Sequence, residues 1–334
     1  MNMPALGYPA LLIDLGHVGD NGLPLNREAW FQRQLELCRE WGFRLKIANQ
    51  RVSLLFDQDQ LVPYWVQKET PAIAWDWLRV HAFLRMESTN LEALEMARQG
   101  APSGTLVYAE EQTAGKGRKG RIWFSPAHKG LYFTLILRPA QQRRFWPLLT
   151  HVASVALVET LRAFADQKIL SHPLDIDLKW PNDVLLSGKK CAGILLEALP
   201  TQEQGYAAVV GLGINVHPGS VPEGLSSEAL CLDEAAGMFV PRRRLLVEFL
   251  HHFQLCYLKF EDGDHAALLA QWKSMSSMWN GVPIWITEGD TRWAAVTCGL
   301  NDIGSLLVRT EEGTQETILA GDITVRRDLN PRNS

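Results

Sequence analysis

The hydropathy pattern changes character along the chain, and that change limits the fold more than any single motif does. Between about residues 67 and 276, short runs rich in branched and aromatic side chains occur at Thr105 to Ala109, Leu131 to Leu137, Ile176 to Lys179, Gly193 to Glu197 and Ala207 to Ile214. Interleaved with them are stretches whose apolar residues fall on one helical face: Asn90 to Gln99, Phe145 to Asp166 and Arg242 to Phe260. The first kind predicts strands and the second helices, so this segment is an α/β or α+β domain with a central mixed sheet. From 277 to 334 only strand signals remain: Val282 to Thr287, Trp293 to Thr297, Ser305 to Arg309 and Ile323 to Arg326, separated by turns such as Glu288-Gly289-Asp290. Short strands spaced by about ten residues predict a small barrel.

Residues 1–66 read differently again. An apolar stretch from Pro9 to Leu15 and a turn-rich break, Gly19-Asp20-Asn21-Gly22, precede a helix expected over Arg27 to Trp41 with Asn26 as its N-cap and Gly42 at its end. Phe43 to Ile47 and Val52 to Phe56 alternate well enough to form a hairpin around Asn49-Gln50, giving a helix followed by a two-stranded wing. Three units, 1–66, 67–276 and 277–334, are therefore expected.

Composition narrows the function. With 46% hydrophobic and 21% charged residues, the chain folds through packed cores, and a net charge of −4 argues against a surface built wholly to neutralise phosphates. The five cysteines are scattered and make no C-x-x-C pair, which predicts free thiols in a reducing compartment. No basic leader precedes the first apolar stretch and no long uncharged apolar run is present, so the expected location is the cytoplasm, with no membrane partner.

The densest chemical signal is Gln112-Thr113-Ala114-Gly115-Lys116-Gly117-Arg118-Lys119-Gly120-Arg121, leading into Ile122-Trp123-Phe124-Ser125-Pro126. Its glycines let backbone N–H groups approach an anion, and its cations supply charge for a phosphate or carboxylate. The spacing fits neither a Walker A loop nor a dinucleotide fingerprint. Taken alone, such a loop could equally be a solvated basic turn.

Further clusters change the weighing. Lys179-Trp180-Pro181-Asn182-Asp183 ends a strand abruptly at a proline, leaving a lysine at a strand end, where α/β proteins hold ligands. Lys189-Lys190-Cys191-Ala192-Gly193 follows a Ser-Gly turn, and Gly211-Leu212-Gly213-Ile214-Asn215 closes an apolar strand with glycines that permit close approach or mark a bulge.

Together with Glu87-Ser88-Thr89-Asn90, these clusters resemble, in order and approximate spacing, the biotin protein ligases (biotin–acetyl-CoA-carboxylase ligases). Asn301 to Leu307 and Gly321 to Arg326 resemble that family's SH3-like C-terminal barrel, so the likeness runs from about residue 85 to 326. It implies an α+β catalytic domain of the biotin/lipoate ligase type and a two-step reaction. Biotin attacks the α-phosphate of ATP, giving biotinyl-5′-AMP and pyrophosphate, and a lysine of the biotin carboxyl carrier protein then takes the acyl group.

By the same resemblance, Lys179 and Arg118 are the catalytic residues, Lys179 holding the biotin carboxylate and then the oxyanion. Ser88, Thr89, Asn90, Gln112, Gly115, Lys116, Gly117, Arg118, Trp123 and Lys179 are expected around biotin, with Asn90 also a candidate helix cap. Arg118, Arg121, Asn182, Lys190, Gly193, Gly213 and Asn215 are expected on the nucleotide side. Backbone amides of Lys116, Gly117 and Arg118 would cradle the anion. The family loop more often has Arg where this chain has Lys116 and Lys119, which keeps charge but loses bidentate geometry. Mg²⁺ is expected to arrive with ATP, and the sequence names no ligands for it; Asp177 and Asp183 read as solvated turn carboxylates.

Some members of the family carry a winged helix-turn-helix and act as repressors. Residues Leu35 to Phe43 and the following hairpin resemble such a recognition helix and wing, but the ten residues between Leu15 and Asn26 leave no room for a second helix of the motif. Residues 1–60 hold six basic against seven acidic side chains, so the expectation is a degenerate winged-helix-like region that does not bind DNA. The alternatives are a biotin-responsive repressor with ligase activity, a lipoate or octanoate ligase or transferase of related fold, and a binding module without catalysis. The oligomeric state stays open, a homodimer among the options.

Overall fold

The computed structural model describes residues 5–55, 57–75, 78–201, 205–288, 291–318 and 324–327. Phe56, Gly289, Asp290 and Gly321 to Ile323, which figure in the sequence-based expectations, lie outside the described residues.

The N-terminal elements are β1 (Leu6–Gly7), α1 (Ala10–Val18), β2 (Leu23–Pro24), α2 (Ala29–Glu40), β3 (Leu45–Ala48), β4 (Arg51–Leu54) and α3 (Pro63–Glu69). The expected hairpin is present, with Asn49 and Gln50 both at positive φ in its turn, as a tight two-residue connection requires. β2 joins it to make a three-stranded sheet ordered β2-β4-β3. The apolar stretch at Pro9 to Leu15 becomes α1, and α2 is shorter than expected. Its N-cap is Glu28, and Asn26 accepts instead from the Glu28 amide at 2.9 Å, an Asx turn one step ahead of the helix.

The central domain comprises β5 (Arg79–Met86), α4 (Thr89–Arg98), β6 (Thr105–Gln112), β7 (Gly130–Leu137), α5 (Leu148–Asp166), β8 (Ile176–Lys179), β9 (Asp183–Leu186), β10 (Lys189–Thr201), β11 (Gly205–Asn215), α6 (Leu232–Ala236), α7 (Arg242–Glu261) and α8 (His265–Ser274). Its eight-stranded sheet is ordered β1-β5-β6-β7-β11-β10-β9-β8; β5 and β6 run parallel and every other neighbouring pair is antiparallel. This is the expected mixed sheet of an α+β domain. Alternation decides which helix covers which face: Leu106, Tyr108, Phe133 and Leu135 point into the main core with α5 and α7, whereas Val107, Ala109 and Ile136 meet Ala93 and Ala97 of α4. Covered on both faces, β6 and β7 read as continuous apolar runs. α5 is long and apolar enough to cross a bilayer by length and composition, but most of it is buried between the sheet, α7 and α8.

The C-terminal unit is a five-stranded antiparallel sheet of β12 (Asn280–Glu288), β13 (Thr291–Leu300), β14 (Leu306–Thr310), β15 (Gln315–Ile318) and β16 (Thr324–Arg327), ordered β15-β14-β13-β12-β16. All five cysteines are free; Cys298 is half-buried and the others are buried.

A buried charge network ties residues 5–66 to the central domain. Arg242, 2% exposed, pairs with Asp59 at 2.9 Å and with Glu110 at 2.6 Å, and Tyr8 donates to Glu110 at 2.7 Å. His217 bridges Asp59 at 2.9 Å and Asp233 at 2.7 Å.

Candidate active site

The sequence clusters converge on one cavity of about 810 Å³ at the ends of β10 and β11, within the range of small-molecule sites. β10 and β11 pair so that Gly193 lies opposite Gly213. A Cβ on Gly213 would lie 2.4 Å from the Trp123 indole and one on Gly193 would lie 3.0 Å from it. Two motifs far apart in sequence thus supply one bare patch of sheet on which Trp123 rests. Lys190 sits over the same ring at 5.2 Å and pairs with Asp183 at 2.7 Å.

The polar floor is built at the start of α4. Gln112 accepts from the Thr89 amide at 2.8 Å and donates to Ser125 Oγ at 2.9 Å, so its amide plane is fixed before any ligand arrives. Asn90 donates to Glu197 at 3.0 Å and accepts from Thr134 at 2.7 Å. Its carbonyl would lie 1.8 Å from a Cβ on Gly211, so that glycine is what lets Asn90 reach the sheet. The helix cap is Ser88 rather than Asn90, which belongs to the buried floor. Such fixed groups suit recognition of a compact, neutral polar ring.

At the other end, Lys179 closes β8 and faces the cavity with Asn182 and Asp183. Arg118 reaches across from the loop and donates to Asn182 Oδ1 at 3.0 Å. Asn182 is itself hooked to β10, its Nδ2 donating to Ile194 O at 2.8 Å and its carbonyl accepting from the Ile194 amide at 2.9 Å. Lys116, Gly117, Arg121 and Asn215 complete the lining among the residues expected from sequence. Cations on both walls give the centre of the cavity the electrostatics needed to bring two anions together.

Two expected residues lie outside that lining. Ser88 is buried with its hydroxyl unpartnered, and Gly115 lines a smaller adjoining hollow of about 340 Å³ under the loop. The loop amides also differ from expectation. Gly117 N–H donates to Arg121 O at 2.7 Å, so it is spent holding the loop closed on itself and does not face an anion in this conformation. Thr134 and Glu197, which orient Asn90, were not signalled by sequence, because a threonine in an apolar strand and a lone glutamate within a strand carry no motif.

No group of three or more His, Cys, Asp or Glu side chains that could hold a metal exists among the described residues. Asp177 is engaged by Ser277 at 2.8 and 2.6 Å, and Asp183 by Lys190. Neither is the solvated turn carboxylate the sequence suggested.

Mixed-sheet topology, a glycine-rich basic loop and a strand-end lysine facing a polar floor define a ligase-type α+β domain. Comparison with known proteins agrees. The Biotin/lipoate A/B protein ligase family matches residues 82–215. The bifunctional ligase/repressor BirA of Bacillus subtilis is 33% identical over 240 residues, 71% of each chain. A biotin–[acetyl-CoA-carboxylase] ligase of Paracoccus denitrificans is 31% identical over 244 residues, 69% of this chain and 94% of the relative. The structure of the Aquifex aeolicus biotin protein ligase in complex with biotin and ATP superposes with a TM-score of 0.62 at 29% identity, covering 75% of this chain and 99% of that one. The chain belongs to the biotin/lipoate A/B protein ligase family.

Proposed function

We propose that the chain is an ATP-dependent biotin ligase that activates biotin as biotinyl-5′-AMP and transfers it to a lysine of the biotin carboxyl carrier protein of a carboxylase. One observation carries the reading: the fixed Gln112–Thr89–Asn90 floor, the Trp123 seat on Gly193 and Gly213, and the cations Lys179 and Arg118 all face one cavity. The relatives named as biotin ligases and the Aquifex structure with biotin and ATP support the choice of substrates.

In the first step a biotin carboxylate oxygen attacks the α-phosphorus, and the bond to the bridging oxygen breaks to release pyrophosphate. Both reactants are anionic, so Lys179, Arg118 and Arg121 offset their repulsion while the floor fixes the ring and Trp123 covers the apolar chain. In the second step a neutral lysine amine attacks the acyl carbon. Lys179 stabilises the oxyanion, the bond from acyl carbon to phosphate oxygen breaks, and AMP leaves as the amine sheds its proton to solvent. Lys190, Asn182 and Asn215 are assigned to the nucleotide side. Magnesium enters as part of the ATP substrate.

In this reading the protein works in the cytoplasm, where ATP and the unmodified carrier are both available. DNA binding is not part of this reading: α2 carries Arg33 and Arg39 against Glu36 and Glu40, with Arg33 at 3.3 and 3.4 Å from those two carboxylates, so the helix has no net positive charge to offer phosphates. A gel shift with adenylate-loaded protein and its own biotin-gene promoter is expected to show no salt-sensitive, sequence-specific complex. The decisive assay is pyrophosphate release from ATP with biotin, lipoate or octanoate. Release with biotin alone, lost in Lys179→Ala, supports the assignment, and release with lipoate or octanoate alone transfers the protein to the sister class.

A further inference from the structure

Lys179 and Asp183 are the closing pair of the β8–β9 hairpin, whose connection is only Trp180, Pro181 and Asn182. Lys179 and Asn182 line the cavity, whereas Trp180 does not. Its ring is buried at 1% exposure, and its Nε1 donates to the carbonyl of Gly304 at 3.0 Å, in the turn between β13 and β14 of the C-terminal sheet. From that relationship we infer that the C-terminal sheet sets the aim of Lys179 through Trp180, with Asn301 and Gly304 as positioning residues.

The turn is shaped for this contact. Gly304 has φ +78°, and a Cβ there would stand 2.5 Å from Cε1 of His151, so only glycine lets the chain sit this deep against α5. Burial pushes the His151 imidazole down to about 4, so it presents a neutral ring to the turn. Asn301 holds the turn from within, its Oδ1 accepting from the amides of Ile303 at 3.2 Å and Ser305 at 2.8 Å, while its carbonyl accepts from the Gly304 amide at 3.1 Å.

The residue on the other side of Lys179 is held from the same direction. Leu178 N–H donates to Met275 O at 3.0 Å, and Ser276 Oγ donates to Leu178 O at 2.7 Å. Residues 178 and 180 are thus both fastened to the segment leading into the C-terminal sheet or to the sheet itself. The backbone of Lys179 is fixed between them and its side chain is left to the cavity. The proposal rests on the ligase reading, in which one ammonium must meet first a carboxylate and then an oxyanion; displacement of such a group by a fraction of an ångström to an ångström lowers turnover steeply.

The test is steady-state pyrophosphate release with biotin and ATP for the full-length wild type, Trp180→Phe, Asn301→Ala and Asn301→Asp, with melting temperature measured beside it. Trp180→Phe keeps part of the ring and deletes the donor; the lost volume and the unpaired Gly304 carbonyl lower the melting temperature by a few degrees, and kcat measured well below it is expected to fall about tenfold with both KM values within about twofold. Asn301→Ala should lose kcat in the same way, and Asn301→Asp, which keeps an acceptor for both amides, should recover it. Should Trp180→Phe fail to fold, the Asn301 pair decides the matter by the same criteria. Wild-type kcat in both Trp180→Phe and Asn301→Ala, or a loss carried only by KM or by melting temperature, overturns the proposal. No biotin-dependent release from the wild type overturns the ligase reading, and the proposal with it.

Discussion

Arg118 Nη1 lies 3.0 Å from Asn182 Oδ1, joining the glycine-rich loop to the turn that follows Lys179. Because Asn182 is hooked to Ile194 on its other side, it offers the guanidinium a fixed acceptor rather than a mobile one. Hydrogen bonds to charged groups contribute about 1.5–3 kcal/mol. Asn182→Ala is therefore expected to raise KM for ATP and speed loss of the bound adenylate by roughly tenfold to a hundredfold, measured by ATP titration and by a chase with unlabelled biotin.

Lys179→Met removes the ammonium but keeps most of the side-chain volume. Lys179 offsets the repulsion between the biotin carboxylate and the α-phosphate as they meet, so kcat for pyrophosphate release is expected to fall by roughly 10²–10³, and biotin KM to rise because the same ammonium meets the bound carboxylate. Lys179→Arg is not expected to restore it, because a planar fork cannot take the place of a compact charge at the end of β8.

Gly213→Ala tests the seat of Trp123. The new methyl would stand 2.4 Å from the indole, and Trp123 lies in the loop before β7 rather than in the sheet, so the fold should survive while the ring lifts off β11. Biotin KM is expected to rise about tenfold, the order of one displaced aromatic contact, and quenching of tryptophan fluorescence by biotin should weaken in parallel.

Local chemistry was legible in the sequence because its residues are contiguous: the basic loop, the lysine at a strand end and the paired glycines each declare themselves within a few positions. The parallel strand β5, Arg-Val-His-Ala-Phe-Leu-Arg-Met, escaped because its polar and apolar residues do not alternate cleanly. The two-residue β1 is too short to carry a pattern. The network linking Tyr8, Asp59, Glu110, His217 and Arg242 was invisible for a different reason: its members are spread over the whole chain, and each looks like an ordinary surface charge until folding buries it.

That network makes the joint between residues 5–66 and the central domain sensitive to a single side chain. Arg242→Met takes the guanidinium from both Asp59 and Glu110, leaving Glu110 to Tyr8 and His128 and Asp59 to His217, and breaking a buried pair in this way costs about 3–5 kcal/mol. A matching drop in the urea midpoint is expected. Arg33→Ala on the exposed face of α2, where both carboxylate partners are more than half exposed, should change stability by no more than about 0.5 kcal/mol.

The same joint should respond to pH from both directions. Burial alone would raise the Glu110 carboxyl, but the Arg242 charge outweighs it and holds the group down at about 2; Asp59 is likewise held well below the usual carboxylate range, by His217 and Arg242 acting against its burial. Their contribution to stability is fully present above about pH 4.3 and is lost as pH falls toward the folded values. His217 has the opposite sign. Burial would lower it, but hydrogen bonds and charge from Asp59 and Asp233 raise it above its ordinary value, and both of its ring nitrogens face carboxylates, which only the doubly protonated ring can satisfy. Its contribution is full below about pH 6.5 and fades as pH rises through the raised value. The melting temperature of the wild type is therefore expected to fall on going from about pH 6 to about pH 9, and His217→Gln, which cannot carry the charge, should melt lower at pH 6 and show a flatter slope. A wild-type melting temperature that climbs through this range, or an unaltered slope in His217→Gln, would show that the imidazolium does not hold the joint.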